Sequence, residues 1–157
     1  MKYSASTFGD FKCAHCHVIV SSAHFLSGVN NRNHCPYCLW SCHLDLYTPG
    51  DRLSACKGQM RPVGLTLKNG RNKYRLEKRG ELMLVHQCIE CGSLSINRIA
   101  ADDDPSTIIA IFQASAERPI PAQCEENGIR MLRAHEADIP YKQLYGSIEV
   151  PDIVWSL

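Results

Sequence analysis

Between residues 62 and 88 the chain alternates short apolar runs with turn residues. Pro62 introduces Val63-Gly64-Leu65-Thr66-Leu67, Asn69-Gly70 gives a hairpin-turn signal, and Lys73-Tyr74-Arg75-Leu76-Glu77 reads as the return strand. A turn at 78–81 then leads into Leu82-Met83-Leu84-Val85. Upstream, Val18-Ile19-Val20 is β-branched and extended, and residues 21–32, with Gly28 and Asn30-Asn31, read as a loop. Downstream the period lengthens. Ile108, Ile109, Ile111 and Phe112 give one apolar helical face over 105–115, started by Asp103 or Asp104 with Pro105 behind it. Asp102, Asp103 and Asp104 are expected to cap this helix at its positive end. A second helix is expected over 122–135, with Ile129, Met131 and Leu132 inward, weakened by Gly128 and stopped by Pro140. The fold class predicted is a small α+β unit: tandem, coupled zinc-ribbon-like knuckles with short antiparallel strands and C-terminal helices.

Cysteine spacing supplies what apolar runs of this length lack. Three Cys-x-x-Cys pairs stand at Cys13/Cys16, Cys35/Cys38 and Cys88/Cys91, among nine cysteines in all. The odd count and the repeated two-residue spacing favour metal over a disulfide framework. The first two pairs give a four-thiolate site that leaves no exchangeable position, hence a structural zinc; iron held by the same sulfurs is the alternative. Cys88 and Cys91 need partners. Cys56 is the third ligand expected and His43 the fourth, with Cys42 and His86 as alternatives. Two structural zinc ions follow, coupled through the short bridge from Cys38 to His43. Gly58 permits a close turn beside Cys56, and Phe8 and Phe11 are expected to cover the first knuckle. His34 reads as a supporting hydrogen-bond partner and Cys124 as a small buried side chain.

The sequence pieces Phe11-Lys12-Cys13-Ala14-His15-Cys16, Arg32-Asn33-His34-Cys35-Pro36-Tyr37-Cys38 through Asp45, Gly50-Asp51-Arg52, Cys56-Lys57-Gly58-Gln59-Met60-Arg61-Pro62, His86-Gln87-Cys88-Ile89-Glu90-Cys91-Gly92 and Asn97-Arg98-Ile99-Ala100-Ala101-Asp102-Asp103 stand in this order. With them the chain resembles the RNHCP family of bacterial zinc-ribbon-like proteins over about residues 8–112. The resemblance implies family membership and carries no ligand pairing or activity. Residues 1–116 are read as the double-zinc module and 117–157 as an extension packing on it or on a partner.

The net charge of +1 conceals a division: residues 1–99 hold 13 Lys/Arg and 6 Asp/Glu (+7), residues 100–157 hold 4 and 10 (−6). Seven bound thiolates and two zinc ions shift the first part by −3, leaving +4. Lys68, Arg71, Lys73, Arg75, Lys78 and Arg79 cluster around the predicted hairpins, and Arg32 and Arg98 are expected to extend that basic face. A clustered cationic surface is what phosphate contact requires. Without a recognition helix in the basic part, RNA is favoured over duplex DNA, with ribosomal RNA and neighbouring ribosomal proteins as the partners expected by analogy with small ribosomal zinc ribbons. The alternatives are a regulatory DNA-binding or protein-interaction module and, third, a zinc-dependent hydrolase with an open site of three cysteines and one histidine. No Ser-His-Asp grouping, His-x-Glu deaminase motif or phosphate loop is evident, so no catalysis is expected. No apolar run approaches the ~20 residues of a membrane span, and a cytoplasmic location is expected.

Overall fold

The computed structural model describes residues 10–29, 32–47, 50–68 and 80–146. Two long strands dominate it. β4 (Gln59–Lys68) and β5 (Glu81–Cys88) run antiparallel, β6 (Leu94–Arg98) flanks β5, and the two-residue β3 (Ser41–Cys42) flanks the start of β4, giving the order β3-β4-β5-β6. β1 (Phe11–Lys12) and β2 (Ile19–Val20) form a separate two-stranded ribbon, followed by a single helical turn, α1 (His24–Ser27). α2 (Pro105–Ser115), α3 (Ala122–Glu126), a 3-10 turn (Ala134–Glu136) and α4 (Asp138–Tyr145) complete the α+β unit.

The sheet differs from the expected pairing. Residues 64–68 take residues 81–85 as their ladder partners, so the segment 82–85 occupies the place expected for residues 73–77. Asn69-Gly70 and residues 73–77 themselves lie outside the described residues. The strand also begins earlier than Val63, running through Pro62. Proline is tolerated there because β3 covers only Met60 and Gln59, and the register shifts between Pro62 and Gly64, a bulge that leaves Val63 as the extra residue.

β5 is central and nearly all buried, which explains its continuous apolar run. Leu82 and Leu84 face a cluster with Leu39, Leu65, Ile108, Phe112, Leu132 and Ile139. Val85 faces the other way, against Cys124 and Met131. The chain after α3 therefore crosses the edge of the sheet: Thr66 and Met131 form an isolated bridge, the Leu132 N–H donates to the Leu65 carbonyl at 2.8 Å, and Thr66 Oγ1 donates to the Arg130 carbonyl at 2.7 Å. Gly64 lets Met131 pack close at this crossing, since a Cβ there would lie 1.9 Å from Met131 Cε and the flexible end of that side chain would have to shift. The described residues beyond 116 thus line both faces of the sheet.

Two helical expectations change. α3 ends at Glu126, before Gly128 in the left-handed conformation (φ +66°), and Met131 and Leu132 are buried from an extended segment. Pro140 sits in the first turn of α4, where its missing N–H has no helical partner to lose, so it starts a helix in place of ending one.

Candidate metal centres

Three Cys-x-x-Cys turns repeat one backbone design. The N–H of residue i+4 donates to the carbonyl of the first cysteine, as His17 to Cys13 (2.9 Å), Leu39 to Cys35 (2.9 Å) and Gly92 to Cys88 (3.0 Å). The first cysteine's N–H donates to the carbonyl of residue i+5, as Cys13 to Val18, Cys35 to Trp40 and Cys88 to Ser93. To close such a turn the residue after the second cysteine takes positive φ: His17 +65°, Leu39 +62° and Gly92 +78°. For a non-glycine residue this costs on the order of 1 kcal/mol. It is repaid by a turn that aims both sulfurs the same way.

The sulfurs of Cys13, Cys16, Cys35 and Cys38 lie within 4.8 Å of one another, with Cys13 Sγ to Cys38 Sγ and Cys16 Sγ to Cys35 Sγ each at 3.6 Å. Bonds of ~2.3 Å to tetrahedral zinc give a sulfur–sulfur edge of about 3.8 Å. A disulfide needs about 2.05 Å, so these are thiols set at metal spacing. The second group is His43, Cys56, Cys88 and Cys91. Cys56 Sγ lies 3.6 Å from Cys88 Sγ, and His43 Nδ1 lies 3.3 Å from Cys91 Sγ. The nitrogen–sulfur edge of a tetrahedral zinc site is about 3.5 Å. Both groups fit a four-coordinate ion with every position filled by protein, so the chain carries two structural metal sites. A zinc ion bound at each supplies a cross-link between segments distant in sequence.

The sheet builds the second site. Cys88 ends β5, His43 directly follows β3, and Cys56 precedes β4 by three residues, with Lys57 behind it at φ +51°. The His43 N–H donates to the Gly58 carbonyl at 2.8 Å and the Ile89 N–H to the Gln59 carbonyl at 2.9 Å. Gly58 is close-packed, since a Cβ there would lie 2.9 Å from Cys88 Sγ. The Ser93 hydroxyl, 3.2 Å from Cys91 Sγ, together with the Ser93 N–H, draws that thiol down to about 6. At the first site the Val18 N–H lowers Cys16, and burial raises Cys35.

Neither alternative fourth ligand joins a site. His86 is fully buried, donates from Nε2 to the Leu39 carbonyl at 2.7 Å and accepts on Nδ1 from Asn97 at 2.8 Å. Burial pushes it down to about 3, so it stays neutral. Cys42 Sγ reaches only the Lys57 carbonyl, at 3.6 Å.

The Arg-Asn-His-Cys-Pro stretch is a junction. All five Arg32 donors are used: Nε to the His34 carbonyl (3.0 Å), Nη1 to the Ser21 carbonyl (3.3 Å) and Asp102 Oδ2 (2.8 Å), Nη2 to Asp102 Oδ1 (2.8 Å) and Asp103 Oδ1 (3.2 Å). Asp103 Oδ2 also meets His34 Nε2 at 2.6 Å and accepts from the Ala100 N–H at 2.8 Å. Asn33 Nδ2 donates to Asp45 at 3.0 Å, and Asn33 Oδ1 accepts from Arg52. The Pro36 carbonyl accepts from the Asp104 N–H at 3.0 Å, tying the second knuckle to the start of α2. Two expectations are corrected here. Arg32 is 4% exposed and belongs to no cationic surface. Of the three aspartates only Asp104 stands at the helix start, accepting from Ser106 and Thr107 hydroxyls, because Asp102 and Asp103 neutralise Arg32.

Of the remaining basic residues, Lys68 is exposed at the end of β4, and Arg98 Nε donates to Glu81 at 3.0 Å. Arg71, Lys73, Arg75, Lys78 and Arg79 lie outside the described residues, as does Phe8. Phe11 packs on the small cluster of Cys13, Val20 and Cys35. Sequence reasoning missed the clamp of Asn33, Asp45 and Arg52 and the Ser93 donor; Gly50-Asp51-Arg52, met as a motif, was the one signal for the clamp.

A small α+β domain whose three Cys-x-x-Cys turns, one cysteine and one histidine close two tetrahedral sites belongs to the class of metal-stabilised knuckle domains. The RNHCP domain matches residues 8–109, and the chain belongs to that family. No curated protein and no solved structure matches the chain. No helix among the described residues is long and apolar enough to cross a membrane.

Proposed function

We propose that this is a non-catalytic, metal-stabilised RNA-contacting protein that works in association with the ribosome. The observation that carries the reading is the closure of both sites: four protein ligands each leave the metal a cross-linking role. A polar groove of about 600 Å³ does lie against His43 and Cys91. Among the described residues lining it, the single carboxylate is Asp45, already accepting from Asn33 and from the Gly50 and Arg52 N–H groups. Its single histidine is the ligand His43. That supports a binding role over hydrolysis, where a free base and an exchangeable metal position are needed. The cationic surplus of residues 1–99 supports a polyanionic partner, and the absence of a basic recognition helix among the described residues favours RNA.

Sedimentation of cell extract in salt tests this directly. The protein is expected to travel with ribosomal particles and to leave them on RNase treatment. A protein that stays at the top of the gradient, or travels with DNA, contradicts the reading. Lys73→Glu with Arg75→Glu is expected to weaken RNA binding; unchanged binding removes those two residues from the contact surface.

A further inference from the structure

Arginines sort the surface. Seven lie among the described residues, and four are neutralised: Arg32 by Asp102 and Asp103, Arg52 by Asp45, Arg98 by Glu81, Arg130 by Glu136. The other three, Arg61, Arg118 and Arg133, all line one groove of about 440 Å³ between β4, α2 and the segment that follows α2. No aspartate or glutamate lines that groove. Among the described residues none of the three guanidinium groups pairs with a carboxylate; at Arg133 only the backbone N–H does so, donating to Glu136 Oε1 at 3.2 Å. Arg133 is held in place without being neutralised, its Nη1 donating to the Ser115 carbonyl at 3.4 Å and its Nη2 to the Arg118 carbonyl at 2.9 Å. Arg61 and Arg118 are exposed. The floor between them is apolar, with Val63, Ile111, Ile120 and Met131.

Guanidinium groups left unpaired around an apolar floor suit an anion with an uncharged body, and they bind phosphate through two parallel N–H donors. The volume is that of a small-ligand site and far too small for a duplex. A single strand carries one phosphate per nucleotide, with a sugar and base between, and so repeats both chemistries at short range. An acidic peptide would have to crowd several carboxylates onto adjacent side chains to match three cations in so small a space.

We propose that this groove binds one or two nucleotides of single-stranded RNA, phosphates on Arg61, Arg118 and Arg133 and the sugar and base against the aliphatic floor. The inference rests on the RNA reading above and places a contact site on the side of α2 and β4, built from arginines other than those of the basic cluster at 68–79. Arg118 and Arg133 come from the acidic part of the chain, so charge counting along the sequence conceals the site.

The test is fluorescence anisotropy of the full metal-loaded chain with a labelled single-stranded RNA 12-mer, a 12-base-pair DNA duplex and an oligo-glutamate peptide. Arg61→Gln with Arg118→Gln is expected to weaken RNA binding about tenfold and to flatten its salt dependence by about 1.4 in log–log slope, two contacts at about 0.7 each. The metal content and melting temperature of the double variant are expected to match wild type, since neither side chain is bound to carboxylate or ligand. If the double variant binds RNA like wild type while Lys73→Glu/Arg75→Glu abolishes binding, the groove is overturned and the RNA reading stands. If wild type binds no RNA, both fall. If oligo-glutamate or the duplex binds more tightly than the single strand and is lost in the double variant, the groove serves another class of partner and the proposal is overturned.

Discussion

The two metal centres use nearly the same donors and rest on different supports. Around the first, the ribbon of β1 and β2 contributes only a small cluster of Cys13, Val20 and Cys35 with Phe11 and Cys38. Its knuckle meets the sheet side of the molecule through the His15–Trp40 stack, with centroids 3.9 Å apart, and a Gln59 Nε2 to Ala14 carbonyl contact at 3.5 Å. The second centre stands at the end of a sheet whose ladder pairs Met60 with Cys88 and Cys42 with Gln59. Ladder pairing, with the His43 N–H to Gly58 carbonyl and Ile89 N–H to Gln59 carbonyl bonds, holds the segments that carry its ligands. The first metal therefore organises a segment that has little else, while the second fastens a structure that other forces already assemble.

Cys35→Ser should separate the two most strongly. It is expected to remove one metal, release the 10–20 ribbon and leave the sheet folded, read as lost amide-exchange protection confined to the first knuckle pair. Loss of protection throughout would put both centres in one cooperative unit. Next in size is Asp103→Ala, which strips a buried partner from Arg32 and from His34 where the second knuckle meets α2. The expected cost is about 3–5 kcal/mol in urea unfolding at saturating zinc, and a cost below about 1 kcal/mol would mean that Asp102 alone suffices. Cys91→Ser should lower the metal count from two to one with β4 and β5 amides still protected, a local effect that sharpens the contrast with Cys35→Ser. Gly58→Ala is expected to cost about 1–3 kcal/mol by driving a methyl into Cys88. It should weaken the second centre's metal affinity against a chelator and leave the first unchanged.

What was legible in the sequence was local. A Cys-x-x-Cys pair declares its chemistry without knowledge of the fold, so six of the positions that the structure brings into two groups stood out by spacing, while Cys56 followed from the need for partners and His43 was chosen against Cys42 and His86. An Asp-Pro start followed by a single apolar face likewise placed α2 residue for residue. The errors came where partners lie far apart. Arg32 looked like a surface cation because its aspartates are 70 and 71 positions away. The Asn-Gly signal suggested a short hairpin, yet the register that buries Leu82, Leu84 and Val85 decides the ladder. Met131 and Leu132 read as one helical face because periodicity could not see that the edge of β4 would bind their backbone in extended form.

Zinc K-edge X-ray absorption on the fully loaded chain, with the metal counted in the same sample, addresses the central claim most directly. Two zinc ions per chain with an average shell of about 3.5 sulfurs and 0.5 imidazole nitrogen, sulfur at about 2.3 Å, is the result expected from seven cysteines and His43. One zinc per chain, or a shell containing oxygen from water in place of a protein ligand, would contradict two closed centres.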